Sequence, residues 1–324
     1  MNLKFIFYFC FTNLLFLHLN IFADEKIKKD NFRFAEPVQL GITFDDLPAA
    51  GPDATFINRQ EISDKIIKSL KDNKIPYVYG FINGILLYDT EVQKKIFSDW
   101  KNAGYLLANH TFSHLNLSRV TAEEYIKDIE KNDTILIDYA STINELKVFR
   151  YPYLMEGDSL DKRYAVRSYF KKRNYKIAQV SVDSGDWDFN EAFIRCKQLN
   201  MEDKTQEIIE NYIKNTAEVL IYNNSLSKFI YGANRKIPQV LLVHYNSINA
   251  FAMNQLIDKF KKMNVVFIPA AKAFNDNIFQ EDSALAMNNG IPYFEQVRRS
   301  HKLKFTDYPF PKDYSSWLKD QCQK

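Results

Sequence analysis

Short apolar runs alternate with longer amphipathic segments along most of the chain. Runs rich in β-branched and aromatic residues are typical of buried strands, whereas apolar residues spaced three and four apart are typical of helices that face a core. The predicted strands are VQLGITF (38–44), PYVYGFI (76–82), GYLLANH (104–110), LKVFRY (146–151), KIAQVSV (176–182), QVLLVHY (239–245) and NVVFIPA (264–270). The predicted helices are 63–73, 90–102, 121–140, 203–223 and 250–263, and several begin with Thr or Ser near an acidic residue, as in a capping box.

This alternation predicts an α/β fold with a parallel sheet. With so many strand and helix units, a distorted (β/α) barrel of about seven parallel strands is favoured over an open doubly wound sheet. Residues 24–272 are expected to form the barrel. Residues 273–324 lack the alternation and are rich in aromatic residues, so they are predicted to be a C-terminal extension packed on the barrel.

The first residues have the pattern of a secretory leader. Lys4 precedes an apolar run from Phe5 to Phe22, and a charged stretch follows Ala23. We expect residues 1–23 to be a signal peptide, which predicts a secreted or periplasmic protein with no stable membrane insertion after cleavage. A retained N-terminal anchor is the alternative, although Asn13, His18 and Asn20 interrupt the apolar run.

Composition narrows the range of functions. The chain has 324 residues, of which 46% are hydrophobic and 26% charged, as in an ordinary globular protein. A net charge of +3 with scattered basic residues argues against nucleic acid as a partner. Cys10 would leave with the leader, so Cys196 and Cys322 would remain as an even pair where disulfides are permitted; the sequence does not decide whether they are bridged.

Unusual polar residues cluster where predicted strands end. TFDD, NHTFSH, FRYPY, VDSGDWDF and LLVHYN each lie at or just after the carboxyl end of a strand. In a parallel barrel these ends share one rim, and the active site is built from the loops that leave it. We therefore expect these segments to meet.

Two of these segments suggest a metal site. NHTFSH places His110 and His114 on one face of a helical turn if the segment is helical, where both could bind one ion, although such pairs also occur by chance on exposed helices. Asp45 and Asp46 offer a further ligand, because adjacent carboxylates repel unless a cation or arginine is near; alternatively, an aspartate here caps the next helix. Two histidines and one carboxylate would leave positions open for water and substrate, as in a catalytic centre, and the second aspartate would be free to act as a base.

The rim also carries His244 and Arg150. A histidine after an apolar strand is commonly a structural hydrogen-bonding residue, but its position on this rim makes His244 a candidate acid. Arg150 is either a surface charge or, held between apolar and aromatic neighbours, a bidentate partner for a carboxylate.

Five segments in this order resemble a known family. TFDD, HTFSH, RYPY, DSGDW and LLVH, each after a predicted strand, are similar to the five motifs of the polysaccharide deacetylase family, also called the NodB-homology group or carbohydrate esterase family 4. The resemblance extends from about Val38 to Ala273, and GFING and AGYLLANH are similar to the family's secreted bacterial branch. The chain departs from the family pattern at Tyr151, where proline is frequent, and at Leu154, where glycine is usual.

The resemblance implies a role for the residues of the first three motifs. Asp45 would be the general base, and Arg150 would orient it. Asp46, His110 and His114 would bind one divalent metal ion, usually zinc, with cobalt or nickel as alternatives.

It also implies how the substrate is held and the leaving group protonated. Tyr153 would supply a backbone N–H to the oxyanion, Trp187 and Leu242 would wall the acetyl pocket, and His244, tuned by Asp186, would be the general acid. The implied activity is removal of N-acetyl groups from an extracytoplasmic N-acetylglucosamine glycan such as peptidoglycan, poly-N-acetylglucosamine or chitin. An O-acetyl esterase, a metal-dependent amidase with another substrate, and a secreted glycan-binding protein without turnover are the alternatives.

Overall fold

A parallel sheet curled into a barrel forms the centre of the protein. The structure is a computed structural model that describes residues 32–87, 91–140 and 147–323; the predicted leader lies outside these residues. The strands in the described part are β1 (Val38–Leu47), β2 (Tyr79–Ile82), β3 (Leu106–Asn109), β4 (Val148–Phe149), β5 (Lys176–Ile177), β6 (Val182–Asp183), β7 (Gln239–His244) and β8 (Val265–Phe267).

The strand order shows how the sheet curls. The order is β5-β4-β3-β2-β1-β7-β6, with β8 added beside the start of β1, and every pairing is parallel. The two edge strands, β5 and β6, follow one another along the chain. The predicted distorted barrel of parallel strands is therefore confirmed.

The strand predicted at 176–182 is wrong as a single strand. It starts beside β4, where the Ala178 N–H donates to the Phe149 oxygen, and it ends beside β7, where the Ser181 N–H donates to the Val240 oxygen. Between these contacts the Gln179 N–H donates to the oxygen of Ile177, only two residues back. This local bond bends the chain across the gap between β4 and β7, so the run divides into β5 and β6.

Helices surround the sheet. They are α1 (Arg59–Asp72), α2 (Glu91–Asn102), α3 (Ala122–Leu136), α4 (Leu160–Arg173), α5 (Asp186–Gln198), α6 (Glu202–Tyr231), α7 (Ser247–Lys262), α8 (Ala270–Phe274), α9 (Asn277–Gln280), α10 (Tyr293–Ser300) and α11 (Ser315–Asp320). The predicted helices correspond to α1, α2, α3, α6 and α7. A capping box begins α3, with Thr121 and Glu124 bonding each other's backbone N–H.

Two helices before the C-terminal region, α4 and α5, were not predicted. The buried positions of α4 include Arg163 beside Val166 and Phe170, so a charged residue interrupts its apolar stripe. α5 begins directly in the DSGDW segment, where the sequence suggested a loop. In both cases buried polar contacts hide the helical periodicity.

The residues after 272 pack against the sheet through short helices. Phe279, Tyr293 and Phe294 are buried in a cluster with Tyr79 and Phe81 of β2. Cys322 forms a disulfide with the buried Cys196 of α5. None of the helices in the described part of the chain is long and apolar enough to cross a membrane.

Removing this disulfide should destabilise the fold. The bridge closes a loop with a sequence separation of 126 residues, so in the chain-entropy description it restricts the unfolded chain strongly. We expect the double variant Cys196→Ala, Cys322→Ala to lose about 2–5 kcal/mol of unfolding free energy. Urea denaturation of the variant and of oxidised and reduced wild type measures this; a loss under about 1 kcal/mol would contradict the expectation.

Candidate active site

The carboxyl end of β1 presents two consecutive aspartates to the same cleft. Side chains of a regular strand alternate between faces, so Asp45 and Asp46 would normally diverge. The pairing of β1 with β2 shifts register between Phe44 and Leu47, and Asp46 has a φ of 63°. A bulge of this kind re-aims a side chain, and here it lets both carboxylates line one cleft.

Asp45 is a buried carboxylate held by Arg150. Nη1 of Arg150 donates to both Asp45 oxygens, at 3.1 and 3.3 Å. The guanidinium is itself fixed, because Nη2 donates to Thr43 Oγ1 at 3.1 Å and Nε donates to the Ala178 oxygen at 2.5 Å. Arg150 therefore holds the Asp45 carboxylate in one position.

Burial changes the acidity of Asp45. It raises the pKa of this carboxyl to about 6, against the opposing positive charges of Arg150 and His244. A cation beside Asp46 would move that pKa down again by favouring the charged form. The carboxylate is thus suited to take a proton near neutral pH.

The two histidines of NHTFSH meet in a loop. The prediction that they lie on a helical turn is wrong, because residues 110–114 are not helical, and Thr111 and His114 have φ values of 62° and 55°. Side chains hold the loop in this shape: Asn83 Nδ2 donates to the oxygens of His110 and Thr111, at 2.7 and 3.2 Å. The imidazole ring centroids are nevertheless only 5.0 Å apart.

Asp46, His110 and His114 form a group that can hold a metal ion. Asp46 Oδ1 lies 3.5 Å from His110 Nε2 and 3.2 Å from His114 Nε2. One ligand atom from each residue falls within 4.8 Å of the others. Asp46 Oδ1 is buried and has no hydrogen-bond partner among the described residues, which is costly unless a cation binds there.

The protonation states of the histidines fit the same interpretation. Burial lowers the pKa of both, well below the usual value for His110. Nδ1 of His110 donates to the Arg150 oxygen at 2.8 Å, which directs its Nε2 lone pair towards Asp46. Neutral imidazoles, a carboxylate and a small ligand number match the preferences of zinc.

On the strand next to Asp45, His244 is paired with Asp186. His244 lies opposite Asp45 in the pairing of β1 with β7. Its Nδ1 lies 2.7 Å from Asp186 Oδ1, and its backbone N–H donates to Asp186 Oδ2 at 2.7 Å. Asn246 and Asn249 also donate to Oδ2, so the buried carboxylate is held from several directions.

This pairing keeps His244 protonated. Burial favours the neutral ring, but the carboxylates of Asp186, Asp46 and Asp45 together outweigh it and raise the pKa of His244 to about 10. Although burial also acts against the charge of Asp186, the contacts with His244 lower the pKa of that carboxyl. His244 Nε2 lies 4.0 Å from Asp46 Oδ2, so the charged ring has its second N–H on the side of the metal-ligand group.

The cleft has a volume of about 550 Å³. Of the ten residues singled out from the sequence, seven line it; Arg150, His110 and Asp186 lie behind it as buried partners. Leu242 is buried, whereas Tyr153 and Trp187 are each 56% exposed. The seven lining residues are Asp45, Asp46, His114, Tyr153, Trp187, Leu242 and His244.

Tyr153 lies in a strained turn. Tyr153 has a φ of 58° and Leu154 has a φ of 52°, and residues other than glycine rarely adopt this left-handed backbone conformation. The turn is closed by two hydrogen bonds, in which the Leu154 N–H donates to the Tyr151 oxygen and the Met155 N–H donates to the Pro152 oxygen. The N–H of Tyr153 takes part in neither of these bonds. The ring of Tyr153 packs against that of His114, with centroids 4.4 Å apart.

The sequence analysis did not identify the residues that support the central groups. Thr43 lies two residues before Asp45 on the same face of β1, a period that could have indicated it. Asn246 caps α7, because its side chain accepts a hydrogen bond from the Asn249 N–H. An asparagine before an apolar helical segment is a typical N-cap, so the sequence could have indicated this residue. Nothing in the sequence indicated Gly290, which also lines the cleft.

Comparison with known proteins agrees with the motifs. Residues 35–169 match the model of the polysaccharide deacetylase family. The peptidoglycan-N-acetylglucosamine deacetylase of Bacillus cereus is 29% identical over 164 residues, which are 50% of this chain and 52% of that protein. The chain thus spans about half the length of this curated relative.

Solved structures share the fold. A mutant of a CE4 family pseudoenzyme superposes with a TM-score of 0.51 and 15% identity, over 76% of this chain and 70% of that one. A mutant of a CE4 pseudoenzyme with restored enzymatic activity gives a TM-score of 0.50 and 16% identity, over 76% and 71% of the two chains. The sequence match supplies what this likeness of fold alone does not: residues 35–169 match the model of the polysaccharide deacetylase family.

Proposed function

We propose that this protein is a metal-dependent deacetylase that removes N-acetyl groups from a glycan containing N-acetylglucosamine. One observation carries the proposal: a single cleft joins an arginine-held buried carboxylate, a metal-ligand group and a carboxylate-paired histidine. These are a candidate base, a site for a Lewis acid, and a candidate acid, which together can catalyse amide hydrolysis. Asp45, the group of Asp46 with His110 and His114, and His244 are the residues concerned.

Each residue has a step that its position allows. A divalent ion, most simply zinc, would supply Lewis acidity that polarises the acetyl carbonyl and makes water more acidic. Asp45 takes a proton from the attacking water while Arg150 keeps the carboxylate in place. The Tyr153 N–H donates to the oxygen that becomes negatively charged when water adds to the acetyl carbon.

His244 completes the reaction. Its Nε2 gives a proton to the amide nitrogen as the bond between that nitrogen and the acetyl carbon breaks, and Asp186 holds the ring through Nδ1. The products are acetate and a free amino sugar. Leu242 and Trp187 border the space that the acetyl methyl group would enter.

Peptidoglycan is the first substrate to test. The curated relative is a peptidoglycan-N-acetylglucosamine deacetylase by name, and the exposed rings of Tyr153 and Trp187 offer flat faces for sugars at the cleft. We further propose that the protein acts outside the cytoplasm. The disulfide between Cys196 and Cys322 supports this location, because such bonds persist in oxidising compartments.

Acetate release tests the proposal. We expect the chain without residues 1–23 to release acetate from N-acetylglucosamine oligomers or peptidoglycan, to lose this activity with a chelator, and to regain it with zinc. Release from acetylated xylan alone would identify an O-acetyl esterase instead. Stoichiometric metal without release from any of these substrates would contradict the proposal and favour either a metal-dependent amidase with a small amide substrate or a binding role.

A further inference from the structure

A segment of the C-terminal region, residues 281–291, lies directly against the turn that carries Tyr153. Gly290 lines the cleft together with Tyr153 and Leu154. A Cβ atom at Gly290 would lie 1.7 Å from the Tyr153 oxygen and 2.7 Å from the Leu154 carbonyl carbon. Both are backbone atoms, so no side-chain rotation could make room for it.

Buried charges anchor segment 281–291. Arg163 of α4, which is 1% exposed, donates from Nε to Asp282 Oδ1 at 2.7 Å and from Nη2 to Ser283 Oγ at 3.1 Å. Its Nη1 donates to the Leu285 oxygen at 3.2 Å. The segment is therefore tied to α4 by one side chain that contacts three of its residues.

The same charges hold the other side of the turn. Glu156, three residues after Tyr153, pairs with Arg163 at 3.0 Å and with Arg167 at 2.8 Å. The Met287 N–H also donates to the Gly157 oxygen at 3.1 Å. The turn of Tyr153 and segment 281–291 are thus both anchored to Arg163. A shift of the segment would therefore displace the turn.

We propose that segment 281–291 is part of the active site and that Gly290 is a positioning residue, which sets where the Tyr153 N–H lies in the cleft. The segment lies outside residues 35–169, the part matched to the family. The inference rests on the proposed function, in which that N–H stabilises the oxyanion. Gly290 acts through the backbone of Tyr153 and Leu154, because only a residue without a side chain allows this approach.

Replacing Gly290 by alanine tests the inference. We expect Gly290→Ala to lower kcat about 10- to 100-fold, since losing an oxyanion donor costs roughly 100- to 1000-fold and a displaced donor costs less. KM should change less than about threefold, because the interaction is made mainly in the transition state. Bound metal per chain should stay the same.

A second glycine provides the matched control. Gly104, between α2 and β3, has a φ of 81°, but a Cβ there meets nothing within 4 Å. Gly104→Ala should therefore lose some stability through backbone strain and keep kcat. If Gly290→Ala does not fold, Asp282→Asn weakens the anchor without adding an atom, and kcat should fall in the same direction.

Amide hydrogen exchange gives a readout that does not depend on turnover. We expect faster exchange in residues 153–157 and 281–291 of Gly290→Ala, or of Asp282→Asn, and no such change in Gly104→Ala. Unchanged exchange there, or a kcat within about twofold of wild type, would overturn the inference. Wild type that releases no acetate would overturn the proposed function instead, and the exchange comparison would still decide whether Gly290 positions the turn.

Discussion

Replacing Asp45 by asparagine should reduce acetate release about 100- to 10,000-fold, the range that a general base contributes. The amide has nearly the same shape, yet it cannot accept the proton of the attacking water. Asp45 is not in the ligand group of Asp46, His110 and His114, so bound metal should remain near one equivalent. Steady-state kinetics on the best glycan substrate, together with metal analysis of the same sample, measures both quantities.

The stability of this variant must be measured beside its activity. Asp45→Asn leaves the buried Arg150 without its counter-charge, and breaking a buried pair is destabilising. Asp72→Asn makes the same chemical change at the exposed end of α1, where the residue does not line the cleft, and should keep full activity. If folded Asp45→Asn turned over within about tenfold of wild type, Asp45 would not be the base.

The positions of Asp45 and His244 could be predicted from the sequence because two rules apply to them at once. A run such as VQLGITF predicts a buried strand, and in a parallel barrel its carboxyl end lies at the catalytic rim. Asp45 and His244 lie opposite one another where β1 and β7 end, as this reasoning requires. Residues at strand ends can be placed by sequence because the strand carries most of the information.

Backbone conformations that depend on contacts between residues far apart in the sequence could not be predicted. The loop of His110 and His114 is shaped by Asn83, which lies 27 residues before His110. The anchor of segment 281–291 joins Arg163 to Asp282, 119 residues apart. No local pattern specifies such pairs, since either partner alone resembles an ordinary surface residue.

The site concentrates backbone strain. Non-glycine residues with left-handed φ angles cost about 1–3 kcal/mol each when the surrounding structure imposes them, and they tend to cluster at functional sites. The segments that supply the proposed base, the proposed metal ligands and the proposed oxyanion donor all contain such residues. They are Asp46, Thr111, His114, Tyr153 and Leu154. Segment 281–291 packs against the turn of Tyr153 and Leu154, so the shape of the proposed site depends on parts of the chain far from the motifs.

Removing one of the proposed metal ligands should abolish both metal binding and activity. His114 is the best choice, because its side chain is 25% exposed and its loss disturbs the core less than loss of the buried His110. We expect His114→Ala to bind well under one equivalent of zinc and to release no measurable acetate. In wild type, zinc at 100 times its dissociation constant should raise the unfolding free energy by about 2.7 kcal/mol, because only the folded chain presents the assembled ligands.

Comparing His114→Ala with a control substitution of another histidine shows whether His114 is a metal ligand or a structural residue. In His114→Ala the stabilisation by zinc should disappear, so a chelator should leave its melting temperature unchanged. His301→Ala removes an exposed histidine that follows α10 and should keep the full response to zinc and chelator. One equivalent of zinc in His114→Ala, with the stability gain of wild type, would show that the ion lies elsewhere. Loss of stability without loss of zinc would make His114 a packing residue, whose ring stabilises the fold through its contact with Tyr153.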